Sequence, residues 1–145
     1  MTEETLYQKV FDVHGGDFDK AGEVSTQIKS ILKATGINSG IIRRVAIASF
    51  EGEMNVVIHA DKGTVEFVLT PESINITIKD KGPGITDIDL AMTEGYSTAT
   101  DEMREKGFGA GMGLPNIKKS VDVFKIESVP GEGTTLYLTI NHDQK

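Results

Sequence analysis

The chain has 145 residues, of which 38% are apolar and 26% charged, the balance of a single soluble globular domain spanning 1–145. A net charge of −7 speaks against a general nucleic-acid binder, whose footprint is a basic patch, but not against a small phosphorylated ligand held by backbone N–H groups. There is no cysteine for a disulfide or thiolate metal site, no apolar run near the roughly 20 residues of a membrane span, and no apolar signal core in Met1–Lys9; a cytoplasmic protein without a membrane partner is expected.

Taken in order, Thr5–Val13 alternates through Leu6, Val10, Phe11 and Val13 and predicts a first strand. His14-Gly15-Gly16 predicts a turn, with Asp17 as N-cap of a helix to about Ala34 whose core face is Val24, Ile28, Ile31 and Leu32. Gly36 is its stop. Asn38 or Ser39 caps a second helix reaching about Ala60. Its apolar residues (Ile41, Ile42, Val45, Ile47, Phe50, Met54, Val56, Val57, Ile58) nearly encircle it, so it is expected to be buried. Glu51 and Asn55 lie four apart on one face of it, with His59 a turn further. A carboxylate inside a buried helix costs several kcal/mol, on the order of a lost ion partner, unless it is paired or faces a polar cleft, and such local conflicts mark function.

From Asp61 the period becomes two. Thr64–Leu69 and Ile74–Ile78 predict a hairpin turning at Pro71-Glu72-Ser73, followed by a short helix over Ile85–Met92 with Asp87 near its start. Pro115 sits in the first turn of a helix that sends Leu114, Ile117 and Val121 inward. Val123–Val129 and Thr134–Ile140 form a second hairpin across Pro130-Gly131-Glu132-Gly133, and the tail Asn141–Lys145 is expected to fray. The order β-α-α-β-β-α-lid-α-β-β predicts an α+β, two-layer sandwich: a mixed, mostly antiparallel sheet with helices on one face and a flexible lid. Two glycine clusters, Asp80-Lys81-Gly82-Pro83-Gly84 and Gly107–Gly113, flank a polar span over 96–106, an arrangement suited to a ligand approached by backbone and covered by a flexible loop.

Counting excludes two common phosphate motifs. There is no G-x-x-x-x-G-K-[ST]. The third glycine of a dinucleotide fingerprint is replaced by Asp87, Met112, Leu114, Asn116 or Leu136 from every possible G-x-G start. H-R-D, D-F-G and V-A-I-K are also absent. His14, His59 and His142 are scattered, which argues against a histidine metal cluster, and His59 reads as a helix-end residue without chemistry. What remains is Glu51-x-x-x-Asn55 on a helix, Asp80-x-Gly82-x-Gly84 after a strand, and a glycine-rich run opening a helix. Singly these are an exposed polar stripe, an ordinary turn and a flexible loop. Their occurrence together and in this order carries the reading.

With Glu94-Gly95-Tyr96-Ser97-Thr98, Gly109–Pro115 and Gly131-x-Gly133-Thr134, the chain resembles the GHKL superfamily of ATP-binding domains (the Bergerat fold) shared by gyrase, the heat-shock 90 chaperones, sensor histidine kinases and MutL proteins. Within it, the chain is most similar to the small bacterial serine/threonine kinases, anti-sigma factors and switch kinases that regulate sigma factors. The resemblance spans about residues 5–140 and implies ATP or ADP with Mg²⁺ as cofactors. It implies Asn55 as the one protein ligand of Mg²⁺, Glu51 as the general base, and Asp80 as acceptor for the adenine amino group. Gly82 and Gly84 would leave room for the base, with Ile85 and Thr134 beside it. Ser97 and Thr98 open the ATP lid, while Gly107, Phe108, Gly109, Ala110, Gly111, Met112, Gly113 and Leu114 wrap the phosphates. The family often has Ser before the Glu, where this chain has Phe50; Arg104 and Lys106 in the lid have no assigned role. The implied activity is phosphorylation of a STAS-domain anti-anti-sigma or scaffold protein in a partner-switching pathway. The alternative is a nucleotide-dependent anti-sigma factor or switch protein that sequesters a partner, a sigma factor among them. The resemblance also allows a homodimer.

Overall fold

The computed structural model describes residues 5–85, 87–92 and 113–142. In chain order these form β1 (Tyr7–His14), a short 3-10 turn (Phe18–Lys20), α1 (Glu23–Ala34), α2 (Ser39–His59), β2 (Lys62–Leu69), β3 (Ser73–Asp80), α3 (Ile88–Ala91), α4 (Gly113–Ser120), β4 (Val123–Val129) and β5 (Gly133–Asn141). The strands make one sheet in the order β1-β2-β3-β5-β4, and all four pairings are antiparallel. This is the expected α+β sandwich, with α1, α2 and α4 covering one face.

Register explains the core. The pairings align Lys9, Phe67, Ile76, Leu138 and Phe124 in one row across the sheet, and Phe11, Val65, Ile78, Leu136 and Ile126 in the next. Both rows face the helices, because side chains alternate between faces at a period of two. Phe67, Ile74, Ile76, Ile78, Leu138 and Ile140 are essentially excluded from water, and each such burial contributes about 1.5–3 kcal/mol. The opposite face carries Gln8, Glu66, Asn75 and Thr139, joined by Gln8–Glu66 and Thr139–Asn75 hydrogen bonds of 3.0 and 2.9 Å. One row further on, the helix-facing positions are Val13, Gly63, Asp80, Thr134 and Ser128, so the core continues at Val13 while the β3, β5 and β4 positions form a polar cluster at that end of the sheet.

The helix α2 lies at the centre of the helical layer, flanked by α1 and α4 and packed on the sheet. At about 100° per residue, one stripe, Gly52, Val56 and Ala60, meets the sheet. A Cβ on Gly52 would collide with the Ile78 side chain, so glycine here sets how closely helix and sheet approach. Val56 lies against Gly63, and Ala60 against Gly82. No helix among the described residues is long and apolar enough to cross a membrane.

Several sequence expectations shift. Asn38, not Ser39, caps α2, its side chain accepting the Gly40 N–H at 2.8 Å. The helix is less enclosed than its composition implies, since Ile47 and Phe50 are 38% and 36% exposed. Asp17 caps no α-helix: α1 begins at Glu23 behind Gly22 (φ 96°), and its cap comes from a distant residue described below. The helix expected over Ile85–Met92 contracts to Ile88–Ala91, with the Asp87 side chain accepting the Leu90 N–H at 3.0 Å. Asn141 and His142 are not frayed. Asn141 closes β5 and donates to Asp122 at 2.7 Å, while His142 bonds Glu72 and Thr70 carbonyls at 3.0 and 2.7 Å.

Candidate active site

The polar end of the sheet is organised by Asp80. Its Oδ1 accepts the N–H groups of Gly82 and Thr134, each at 3.1 Å. No hydrogen bond from the described residues reaches Oδ2, which leaves that oxygen to accept from a ligand. Burial pushes the carboxyl above its ordinary value of 3.8, and the two N–H donors pull it back. The loop after Asp80 is fixed to the β4–β5 hairpin. Gly131 donates to the Pro83 carbonyl at 2.7 Å, and Ile85 donates to Ser128 Oγ at 2.7 Å. Ser128 Oγ in turn bonds Thr134 Oγ1 at 2.9 Å. Gly84 has φ 73°, and a Cβ there would run into the Val129 carbonyl, so glycine is required by both conformation and contact.

The second half of the site lies on another stripe of α2. Glu51 and Asn55 are half-buried and point toward α4. A Cβ on Gly113 would stand 3.2 Å from Glu51 Oε2 and 3.5 Å from Asn55 Oδ1. The Asn116 side chain, one turn into α4 from Gly113, stands where it can donate to Glu51 and offset part of the upward push that burial gives its pKa. A partly desolvated carboxylate with a raised pKa is a stronger base near neutral pH. Where Asn55, Glu51 and the start of α4 meet, the oxygens are hard donors. No group of three His, Cys, Asp or Glu that could cage a metal occurs among the described residues. One amide oxygen beside one carboxylate fits Mg²⁺, which keeps most of its shell as water and phosphate oxygen.

The structure thus gathers Glu51, Asn55 and Gly113 at one place, and Asp80, Gly82, Gly84, Ile85 and Thr134 at the sheet end beside Ala60, where α2 finishes. Leu114 is 8% exposed and packs into the core, so its side chain is not offered to a ligand; the first turn of α4 presents backbone N–H groups, including those of Gly113 and Asn116, as helix N-termini do to anions. Ser97, Thr98, Arg104, Lys106, Gly107, Phe108, Gly109, Ala110, Gly111 and Met112 lie outside the described residues. His59 closes α2, and burial lowers its pKa.

Three residues of consequence were not singled out from the sequence. Ser128 and Asn116 carry weak signals at best, although Gly113 and Asn116 share a face at i, i+3. Glu53 is 2% exposed, and its carboxylate accepts the N–H groups of Gly22, Val24 and Ser25 at 3.0, 3.4 and 3.2 Å. It is the cap of α1, supplied from 28 residues or more away in sequence, and no local pattern around Asp17 or Gly22 could reveal it.

Comparison with known proteins gives the family. The family model "Histidine kinase-, DNA gyrase B-, and HSP90-like ATPase" matches residues 24–144. The "Serine/threonine-protein kinase RsbT" of Bacillus subtilis (strain 168) is 31% identical over 112 residues, 74% of this chain and 78% of that protein. The "Anti-sigma F factor" of Oceanobacillus iheyensis is 35% identical over 114 residues, 79% of this chain and 67% of its own length. That of Thermoanaerobacter sp. (strain X514) is 27% identical over 119 residues, 82% and 76% of the two chains.

Proposed function

The chain belongs to the histidine kinase-, DNA gyrase B- and HSP90-like ATPase family, and from that premise we propose that it is a bacterial protein-serine/threonine kinase that phosphorylates a STAS-domain partner in a sigma-factor switching pathway. The observation that carries this reading is the convergence of Glu51 and Asn55 on the start of α4.

In this mechanism Asp80 Oδ2 accepts the adenine amino group while Oδ1 stays committed to Gly82 and Thr134. The N–H groups at the start of α4 would face the phosphates, and Asn55 Oδ1 would hold Mg²⁺. That ion, when bound, neutralises charge developing on the phosphate oxygens. Glu51 accepts the proton of the incoming serine or threonine hydroxyl. The new bond forms between that oxygen and the γ-phosphorus, the bond to the β–γ bridging oxygen breaks, and ADP departs with the electron pair. Because burial raises the Glu51 pKa, the carboxylate is matched to this proton transfer better than an exposed glutamate.

The test is incubation with labelled ATP and Mg²⁺ in a host lysate, beside the Glu51→Gln variant. A single labelled acceptor that disappears with Glu51→Gln, while ADP still binds, supports the kinase. A second reading, a nucleotide-dependent anti-sigma factor acting by sequestration, draws on the relatives named anti-sigma F factor. It gains if label reaches no protein and a sigma factor co-purifies in an ADP- or ATP-dependent manner.

A further inference from the structure

We infer that Asn116 is the positioning residue for Glu51, holding the carboxylate in the one orientation from which it can accept the acceptor's proton. This rests on the proposed role of Glu51 and adds a residue to it.

The two helices that carry the pair run antiparallel and are clamped along their length. On α2, Arg44, Glu51 and Asn55 stand at i, i+7 and i+11, one stripe of the helix; on α4, Gly113, Asn116 and Ser120 stand at i, i+3 and i+7, again one stripe. Arg44 meets the far end of α4, donating to the Ser120 carbonyl at 3.0 Å and to Asp122 at 2.9 Å. Asp122 also accepts the Asn141 N–H at 2.7 Å, which ties the clamp to β5. Gly113 at the near end lies against both Glu51 and Asn55, and Asn116, one turn further along the same stripe, is thereby set beside Glu51 in the middle. With α4 anchored at Arg44 and through the buried Ile117, Asn116 is carried on a rigid element.

The chemistry suits positioning. An ionised carboxylate only accepts, so the Asn116 amide nitrogen is the donor. One carboxylate oxygen is thereby occupied, and the other stays available to the incoming hydroxyl. The amide has no charge and takes up no proton near neutral pH, so it orients the base without competing with it and without the strong pKa depression that a lysine or arginine there would impose. Glutamate has three side-chain torsions, and a half-buried one lacking this donor samples orientations in which neither oxygen faces the acceptor.

The experiment measures single-turnover transfer from [γ-³²P]ATP·Mg²⁺ to the acceptor isolated in the labelling experiment, and to water, for wild type, Asn116→Ala, Asn116→Asp, Glu51→Gln and the Glu51→Gln/Asn116→Ala double variant. Asn116→Ala is expected to slow transfer about tenfold to a hundredfold while ADP affinity and the thermal midpoint stay near wild type. Asn116→Asp keeps the shape but loses the donor when ionised, and is expected to be at least as slow. The double variant is expected to be no slower than Glu51→Gln alone, the non-additivity of a residue that acts through another. A merely structural role would instead lower the midpoint and slow both backgrounds by the same factor. Transfer within twofold of wild type in Asn116→Ala, or full additivity in the double variant, overturns the inference and leaves the kinase reading standing. Unchanged transfer in Glu51→Gln removes the base itself, and the two failures are thereby separate.

Discussion

Glu51 and Glu53 are two residues apart on one helix and do opposite jobs. At about 100° per residue they point roughly 200° apart, so one looks to α4 and the other to α1. Glu53 is sealed from water, with three N–H donors and the positive end of α1 upon it, the environment of a structural cap. Glu51 is half-buried and stands with Asn55 against the start of α4, with the Asn116 side chain placed to donate to it. The more deeply buried charge is therefore the structural one, and the partly satisfied charge is the candidate for chemistry. Burial alone does not identify a catalytic carboxylate; unfilled hydrogen-bonding capacity beside a second polar group does so better.

This contrast can be broken from either side. The largest effect is expected for Glu51→Gln, a loss of about 10²- to 10⁴-fold in phosphotransfer, the range of a general base, with a urea midpoint close to wild type. A folded variant that transfers at the wild-type rate would remove Glu51 from the chemistry. Glu53→Ala is expected to do the reverse. Three N–H groups lose their acceptor, and stability falls by about 2–4 kcal/mol in urea unfolding, while the folded fraction keeps its affinity for ADP. If this variant were as stable as the parent, the carboxylate would not be the cap of α1.

Asp80→Asn sharpens the comparison with a third carboxylate, one that holds Gly82 and Thr134 and that we propose also serves the ligand. Its Oδ1 can still accept from Gly82 and Thr134, but the other arm becomes a donor facing the adenine amino group. A loss of about 1–3 kcal/mol in ADP binding is expected, together with weaker discrimination against GDP, both readable by calorimetry. Gly84→Ala, which meets the Val129 carbonyl at positive φ, is expected to lower stability by about 1–2 kcal/mol and move the Asp80 loop; unchanged melting would show that the loop accommodates a side chain.

The smallest effect is the pH dependence. Burial raises both glutamates above the ordinary 4.5, so each favours its protonated form more when folded than when unfolded. Their contribution is fully present below the unfolded value and is lost as pH rises through the raised folded value. Mild acid should therefore stabilise the wild type relative to neutral pH. Glu51→Gln and Glu53→Gln should each flatten part of that slope in urea titrations run at pH 5 and pH 7. Asp122 runs the other way: the Asn141 N–H and Arg44 hold its carboxyl low, so its contribution is lost as pH falls.

Much of the fold was legible because the relevant signals are local. Alternation in Thr64–Leu69 and Ile74–Ile78, the turn at Pro130–Gly133 and the cap at Asn38 depend on neighbours a few residues away, and the structure places strands and helix where those patterns do. The start of α1 was not legible. Asp17 looks like a cap, but the chain makes a 3-10 turn there and takes its cap from Glu53, a contact that exists only once α2 has packed. Nor could composition reveal that Ile47 and Phe50 reach the surface, because apolar residues around a helix show how much of it can be covered and not which neighbours cover it.

For the site, the sequence by itself determined the residue types and their order: a helix bearing Glu51 and Asn55, a strand ending in Asp80, and glycines opening α4. Spacing along one helix was enough to put Glu51 and Asn55 on a common face. Tertiary structure decided which face met the start of α4, which carboxylate was consumed by structure, and that Asn116 and Ser128 stand beside the candidate site residues. Those outcomes depend on hydrogen bonds between residues tens of positions apart, whose geometry is set only when α2 settles on the sheet through Gly52 and α4 is clamped to it by Arg44.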